Sequence, residues 1–233
     1  MRPRPAGATT FVTYGLVLLN VGVFVLELHQ PTIDALRTMV ESWGMIPREY
    51  TLGRDLYPPI PLPFWTTMVT STFLHAGWLH LATNMIYLWL IGHVLERRVG
   101  PGRFLAFYLL SGAVAGLAHV AAYPGSVIPT VGASGGISGM VAGYLSLLCF
   151  PPAVPGEPVR WKVPALFLSA LWIANGVSEL AFGWQAGQVA TFAHVGGFLI
   201  GLTFGPFDGP LSPVDYPLPS LRHNHDLRVP LAP

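Results

Sequence analysis

A chain of 233 residues, 52% hydrophobic and only 10% charged, has too few charges to cover a water-soluble globule, where roughly 25% is usual. Its net charge of +1 excludes the basic field that nucleic acid requires. The lone Cys149 excludes a disulfide framework within the chain and a cysteine-rich metal site.

Residues 56–95, 104–156 and 180–207 contain no Asp, Glu, Lys or Arg. At about 20 apolar residues per bilayer crossing, each stretch holds one or two spans. The pattern is that of an all-α, polytopic membrane protein. Arg2 and Arg4 precede the uncharged stretch from Ala6 to Leu26. It lacks a small-residue cleavage site and more spans follow, so it reads as a retained first helix.

Six spans are predicted, over residues 10–28, 74–95, 104–122, 133–150, 163–182 and 188–207. Proline and glycine set most of the limits, through Pro124-Gly125, Pro151-Pro152 and the cluster Pro58, Pro59, Pro61 and Pro63 in the long first loop. The organisation is then a short N-terminus (1–9), a membrane domain (10–207) and a proline-containing, disordered tail (208–233). His223-Asn224-His225 in that tail is read as solvated and not as a metal site.

Orientation follows from the short loops. With the N-terminus inside, the inner segments hold Arg2, Arg4, Arg97, Arg98, Arg103, Arg160 and Lys162; the outer ones hold only Arg37, Arg48 and Arg54, all in one long loop. Both termini are expected in the cytoplasm.

The fourth span carries Gly135, Gly139 and Gly143 four apart on one face, and the sixth carries Gly197, Gly201 and Gly205 likewise, with Gly112 and Gly116 in the third. Membrane helices associate through such small-residue faces, so spans 3, 4 and 6 are expected to form a tight central cluster. Ser138, Ser146 and Ser169 are expected to bond their own helix backbone.

Ser134 is read differently because of what shares its depth. Spans 2, 4 and 6 all run from outside to inside, and at about 1.5 Å rise per residue His80, Asn84, Ser134 and His194 all fall in the outer half of the membrane. Ionisable groups there are costly and functional. A Ser–His pair is the minimal activated nucleophile, the imidazole taking the hydroxyl proton and returning it to the leaving amine. His80, Asn84 and the Ser134 amide are placed to donate to the oxyanion. His75 is expected at the interface, His93 on the cytoplasmic side, and His119 in packing. Glu179, near the outer end of span 5, is the one carboxylate considered as a third member; it is read as solvated or interfacial, leaving a dyad.

These residues resemble the rhomboid family of intramembrane serine proteases, over about residues 10–207. Gly132-Ala133-Ser134-Gly135 matches the family's GxSG nucleophile motif, Ala193-His194-Val195-Gly196-Gly197 its histidine motif, and His80-Leu81-Ala82-Thr83-Asn84 its HxxxN oxyanion motif. Residues 96–104 are similar to the cytoplasmic turn after the family's second span. The resemblance implies a six-helix bundle with a water-filled cavity opening outward. Ser134 would be its nucleophile, His194 its general base and acid, Asn84, His80 and the Ser134 amide its oxyanion hole, and Gly132 the point of close substrate approach. It further implies a first outer loop (29–73) lying partly in the membrane, lateral substrate entry near span 5, substrates that are transmembrane proteins cut near the outer face, and no cofactor or metal. The implied location is the bacterial inner membrane. One departure is Trp65-Thr66, where many members carry Trp-Arg; it bears on loop stability or gating.

Other classes fit less well. A transporter would show paired internal repeats, a non-enzymatic binding relative would lack the serine or histidine, and a metalloprotease would carry His-Glu-x-x-His. An aspartyl protease would need membrane-embedded Asp residues.

Overall fold

The computed structural model describes residues 10–57, 63–149, 159–182 and 191–203, with backbone alone at 147–149, 159–165 and 179–182. The tail, its His223-Asn224-His225 and residues 1–9 lie outside the described residues, as does the Glu179 side chain. Among the described residues all regular elements are helical: α1 (Phe11–Leu28), α2 (Ile33–Trp43), α3 (Pro47–Leu52), α4 (Thr67–Thr70), α5 (Trp78–Val99), α6 (Pro101–Ala122), α7 (Ser134–Cys149), α8 (Val159–Phe182) and α9 (Thr191–Thr203). Single 3₁₀ turns at Phe64–Thr66 and Ser71–Phe73 flank α4. Among the described residues, α1, α5 and α6 are long and apolar enough to cross a membrane, with shorter apolar stretches at Leu166–Ser178 and Thr191–Thr203.

The distribution of side chains is that of a membrane bundle. Phe11, Leu18, Leu79, Leu117, Phe167, Val177 and Leu199 point outward, whereas Thr13, Asn20, Glu27, Asn84, Glu96, Ser111 and Ser138 are buried. Polar groups turn inward because hydrocarbon offers them no partners. The all-α, polytopic reading of the sequence holds.

Helices α6, α7 and α9 pack against one another most closely. A methyl group on Gly197 would run into the Gly135 carbonyl, and one on Gly201 into the Gly139 carbonyl. Facing α6, a methyl on Gly135 would meet Ala115 Cβ at 2.6 Å, and one on Gly139 would strike Ser111. The expected cluster of spans 3, 4 and 6 is therefore present, and within it α7 and α9 meet backbone to backbone.

Helix α1 is attached by other means. Its first N–H groups have no partner within the helix, and Thr10 supplies no side-chain cap. Glu96 of α5 does this instead, accepting from the Val12 N–H at 3.0 Å, the Thr13 N–H at 2.8 Å and the Thr13 hydroxyl at 2.8 Å. On the same level Thr10 Oγ1 lies 2.7 Å from His93 Nδ1.

Several boundaries differ from expectation, among them the start of α8 at Val159 and not at 163. Span 2 starts at Trp78, not at residue 74, because the chain after Ser71–Phe73 is extended at Leu74 (φ −84°, ψ 149°) and turns through Gly77. It runs on to Val99, since Arg97 and Arg98 suit the negative end of the helix dipole, and Gly100 (φ 88°) ends it in a backbone conformation that favours glycine. Span 3 begins at Pro101 and not at 104, as proline fits the first helical position. The segment between α1 and α5 contains α2, α3 and α4. Thr32 opens α2 by accepting from the Ala35 N–H at 3.1 Å, and a two-way backbone pairing of Met45 with Thr130 (3.1 and 2.8 Å) ties the loop to the segment before α7. Thr66, in place of the familial arginine, donates to the Pro63 carbonyl at 2.7 Å.

Candidate active site

Ser134 is the first residue of α7, so the amides of Ser134 and its two successors have no acceptor within their own helix and present the positive end of its dipole. His194 stands one turn into α9. The glycine contacts between α7 and α9 bring the two side chains together, with Ser134 Oγ 2.9 Å from His194 Nε2. Both are half-buried.

Gly132 stands two residues before Ser134 at φ +118°, a conformation that side-chain-bearing residues rarely adopt. A Cβ there would lie 2.6 Å from His80 Nε2 and 3.6 Å from Asn84 Nδ2. The backbone leading into α7 therefore runs directly against the polar edge of α5, held by a Gly132 N–H bond to the Ser71 carbonyl at 2.9 Å. Asn84 is buried, and its Nδ2 has no hydrogen-bond partner among the described residues. The five residues singled out in the sequence are thus linked by short approaches, Gly132 to His80 and Asn84, and Ser134 to His194.

The Ala76 N–H lies 3.4 Å from His80 Nδ1 and donates to it. A ring nitrogen that accepts carries no proton, so this contact selects the His80 tautomer with its proton on Nε2. That N–H faces Gly132.

Two neighbours were not anticipated. Trp172 of α8 sets its ring 5.6 Å from that of His194, tilted by 58°, and donates from Nε1 to Ser138 Oγ at 3.1 Å. Ser138, as expected, donates to a carbonyl of its own helix, that of Ser134, at 2.9 Å. No local sequence signal marks Trp172. Glu27, at the C-terminal end of α1, is a second carboxylate within a predicted span, where the sequence reading names Glu179 alone. An ionisable group in an otherwise uncharged span was the available signal. Glu27 is 5% exposed and accepts from the His75 N–H at 3.1 and 3.2 Å.

His75 lies in the turn before α5. It is 4% exposed, and its ring packs edge-on against His80 with centroids 5.0 Å apart. In this turn outside the helices, burial pushes the His75 imidazole down to about 4, with the nearby His80 adding to the effect, so it is neutral at ordinary pH. His119 is buried on α6 as a packing residue, 5.1 Å from the Tyr123 ring. Among the described residues no group of three or more His, Cys, Asp or Glu side chains is arranged to hold a metal ion.

Comparison with known proteins follows the same lines. Residues 63–210 match the family model of the rhomboid domain. The chain is 31% identical to rhomboid protease GluP of Bacillus subtilis (strain 168) over 137 residues, covering 59% of this chain and 25% of that protein. It is 34% identical to the putative rhomboid protease YdcA of the same organism over 136 residues, covering 56% and 68%. It is 29% identical to the mitochondrial rhomboid protein 1 of Saccharomyces cerevisiae over 205 residues, covering 83% and 52%. The matched region spans a quarter of GluP and about half of the yeast protein. With more than half of its length matched to that domain, the chain belongs to the rhomboid family.

Proposed function

We propose that this protein is an intramembrane serine endopeptidase that cuts transmembrane segments of other membrane proteins near the outer face. The observation that carries the reading is the 2.9 Å approach of Ser134 Oγ to His194 Nε2 between two helices packed backbone to backbone. Ser134 Oγ attacks the scissile carbonyl while His194 Nε2 takes its proton; the resulting imidazolium then protonates the leaving amine. Water hydrolyses the acyl-enzyme by the same proton route in reverse. The tetrahedral oxyanion receives hydrogen bonds from His80 Nε2–H, Asn84 Nδ2–H and the Ser134 amide. Each such donor is worth about 2.7–4 kcal/mol in the transition state. Gly132 leaves room for the substrate backbone. Trp172 limits the rotation of the His194 ring.

An intact substrate helix hides its carbonyls in intrahelical bonds. Cleavage therefore requires local unwinding, and glycine, at about 1 kcal/mol per residue less helical than alanine, speeds it when placed near the cut. The dyad requires no cofactor. In this reading the chain crosses the bacterial inner membrane six times with both termini in the cytoplasm, in line with its excess of inner-loop arginine.

The test is cleavage of a model single-span substrate in proteoliposomes. The wild-type protein is expected to cut within the span, faster when glycines flank the site, while a folded Ser134→Ala variant is inert. Undiminished cleavage by Ser134→Ala overturns the proposal, and so does a folded wild-type protein that binds such spans without cutting them.

A further inference from the structure

The outer end of α1 grips the turn that precedes α5 at both of its ends. The Glu27 carboxylate accepts from the His75 N–H through both oxygens, at 3.1 and 3.2 Å. Three residues back, the Phe24 ring packs edge-on against Trp78, the first residue of α5, with centroids 5.0 Å apart. Between these two holds lies Ala76, whose N–H donates to His80 Nδ1, and His75 itself lies edge-on against the His80 ring. Both groups that set the pose of His80 are thus carried by the segment that Glu27 anchors.

A glutamate 5% exposed at the end of a membrane span is costly to keep. Its acceptor role here is spent on one backbone amide, and that amide belongs to the residue beside His80. We infer that Glu27 is a positioning residue: by fixing the 74–77 turn it holds the Ala76 N–H on His80 Nδ1, and so keeps the proton of His80 on Nε2, aimed at the oxyanion. If the turn relaxes, His80 loses the donor that selects its tautomer. The alternative tautomer, with Nδ1 protonated, presents an unprotonated Nε2 to the oxyanion and repels it. This role rests on the Ser134–His194 reading of the site.

The experiment is a double-mutant cycle on the full-length protein in proteoliposomes, with Ser134→Ala as the control that carries the parent reading. Glu27→Leu is expected to lower kcat by about tenfold to a hundredfold, a part of the roughly 10²–10³-fold that deleting an oxyanion donor costs, with KM little changed. Glu27→Gln keeps an acceptor for the His75 N–H and is expected to retain kcat near the wild-type value. In a His80→Ala background, Glu27→Leu is expected to cause no further loss, since it acts through a side chain already gone. Losses that multiply in that background overturn the inference, as does a Glu27→Leu enzyme with wild-type kcat. If Glu27→Leu does not fold, ¹⁵N NMR of histidine-labelled wild-type protein decides. The inference requires a His80 with Nε2 protonated and Nδ1 bare, and the opposite tautomer overturns it. Residual activity in Ser134→Ala would instead sink the parent reading, whatever Glu27 does.

Discussion

Ser134 and His194 stand on α7 and α9, whose backbones meet through Gly135, Gly139, Gly197 and Gly201. His80 and Asn84 stand on α5, which is joined to α1 through two buried carboxylates, Glu96 at one end and Glu27 at the other. The first half of the site is positioned by shape. Nothing in the glycine contacts can rotate or swing, so the serine and the imidazole inherit the precision of two helical backbones. The second half is positioned by hydrogen bonds to side chains, each of which one substitution removes. In the proposed reading, the proton-transfer pair, 2.9 Å apart, is thus placed on the stiffer support, and the oxyanion donors on the softer one.

The comparison can be broken at several points. His194→Ala removes the base outright and should lower cleavage by at least about 10⁴-fold, read as kcat in proteoliposomes, with the thermal unfolding midpoint unchanged. Asn84→Ala takes one oxyanion donor and leaves His80 and the Ser134 amide in place. Its kcat is expected to fall by about a hundredfold, with KM steady. Gly197→Ala pushes α9 off the Gly135 carbonyl and should cost about 1–3 kcal/mol of stability by overpacking, seen as a lowered unfolding midpoint. The same change at Gly15, where nothing lies within 4 Å of the added methyl, should shift stability by less than about 1 kcal/mol. Glu96→Leu leaves the Val12 and Thr13 amides without an acceptor, at about 1–3 kcal/mol. It should loosen α1 while sparing the α7–α9 pair, so residual activity should survive in the folded fraction.

Which parts of this were legible in the sequence follows the same division. Glycines four apart name the packed faces of α7 and α9 directly, and helix rise alone places Ser134 and His194 at one depth. His80 and Asn84 are one turn apart on one face, and so are found by the same arithmetic. The turn from Leu74 to Gly77 was absorbed into span 2 because it is uncharged and mostly apolar, like the helix that follows; only the tertiary bond from Glu27 distinguishes it. The burial of His75 is not legible in its position before a helix start, since it depends on the contact with Glu27 of α1. Between α1 and α5, Thr32 and the spacing of Ile33, Leu36 and Val40 are signals for α2 that reading the stretch as one long loop leaves unused.

The most direct test is to treat the purified protein with a fluorophosphonate and map the adduct by mass spectrometry. A single phosphonylated residue at Ser134, formed by the wild-type protein and lost in a folded His194→Ala variant, is the predicted result. Modification at another serine, or equal labelling of Ser134 without the imidazole, would contradict it.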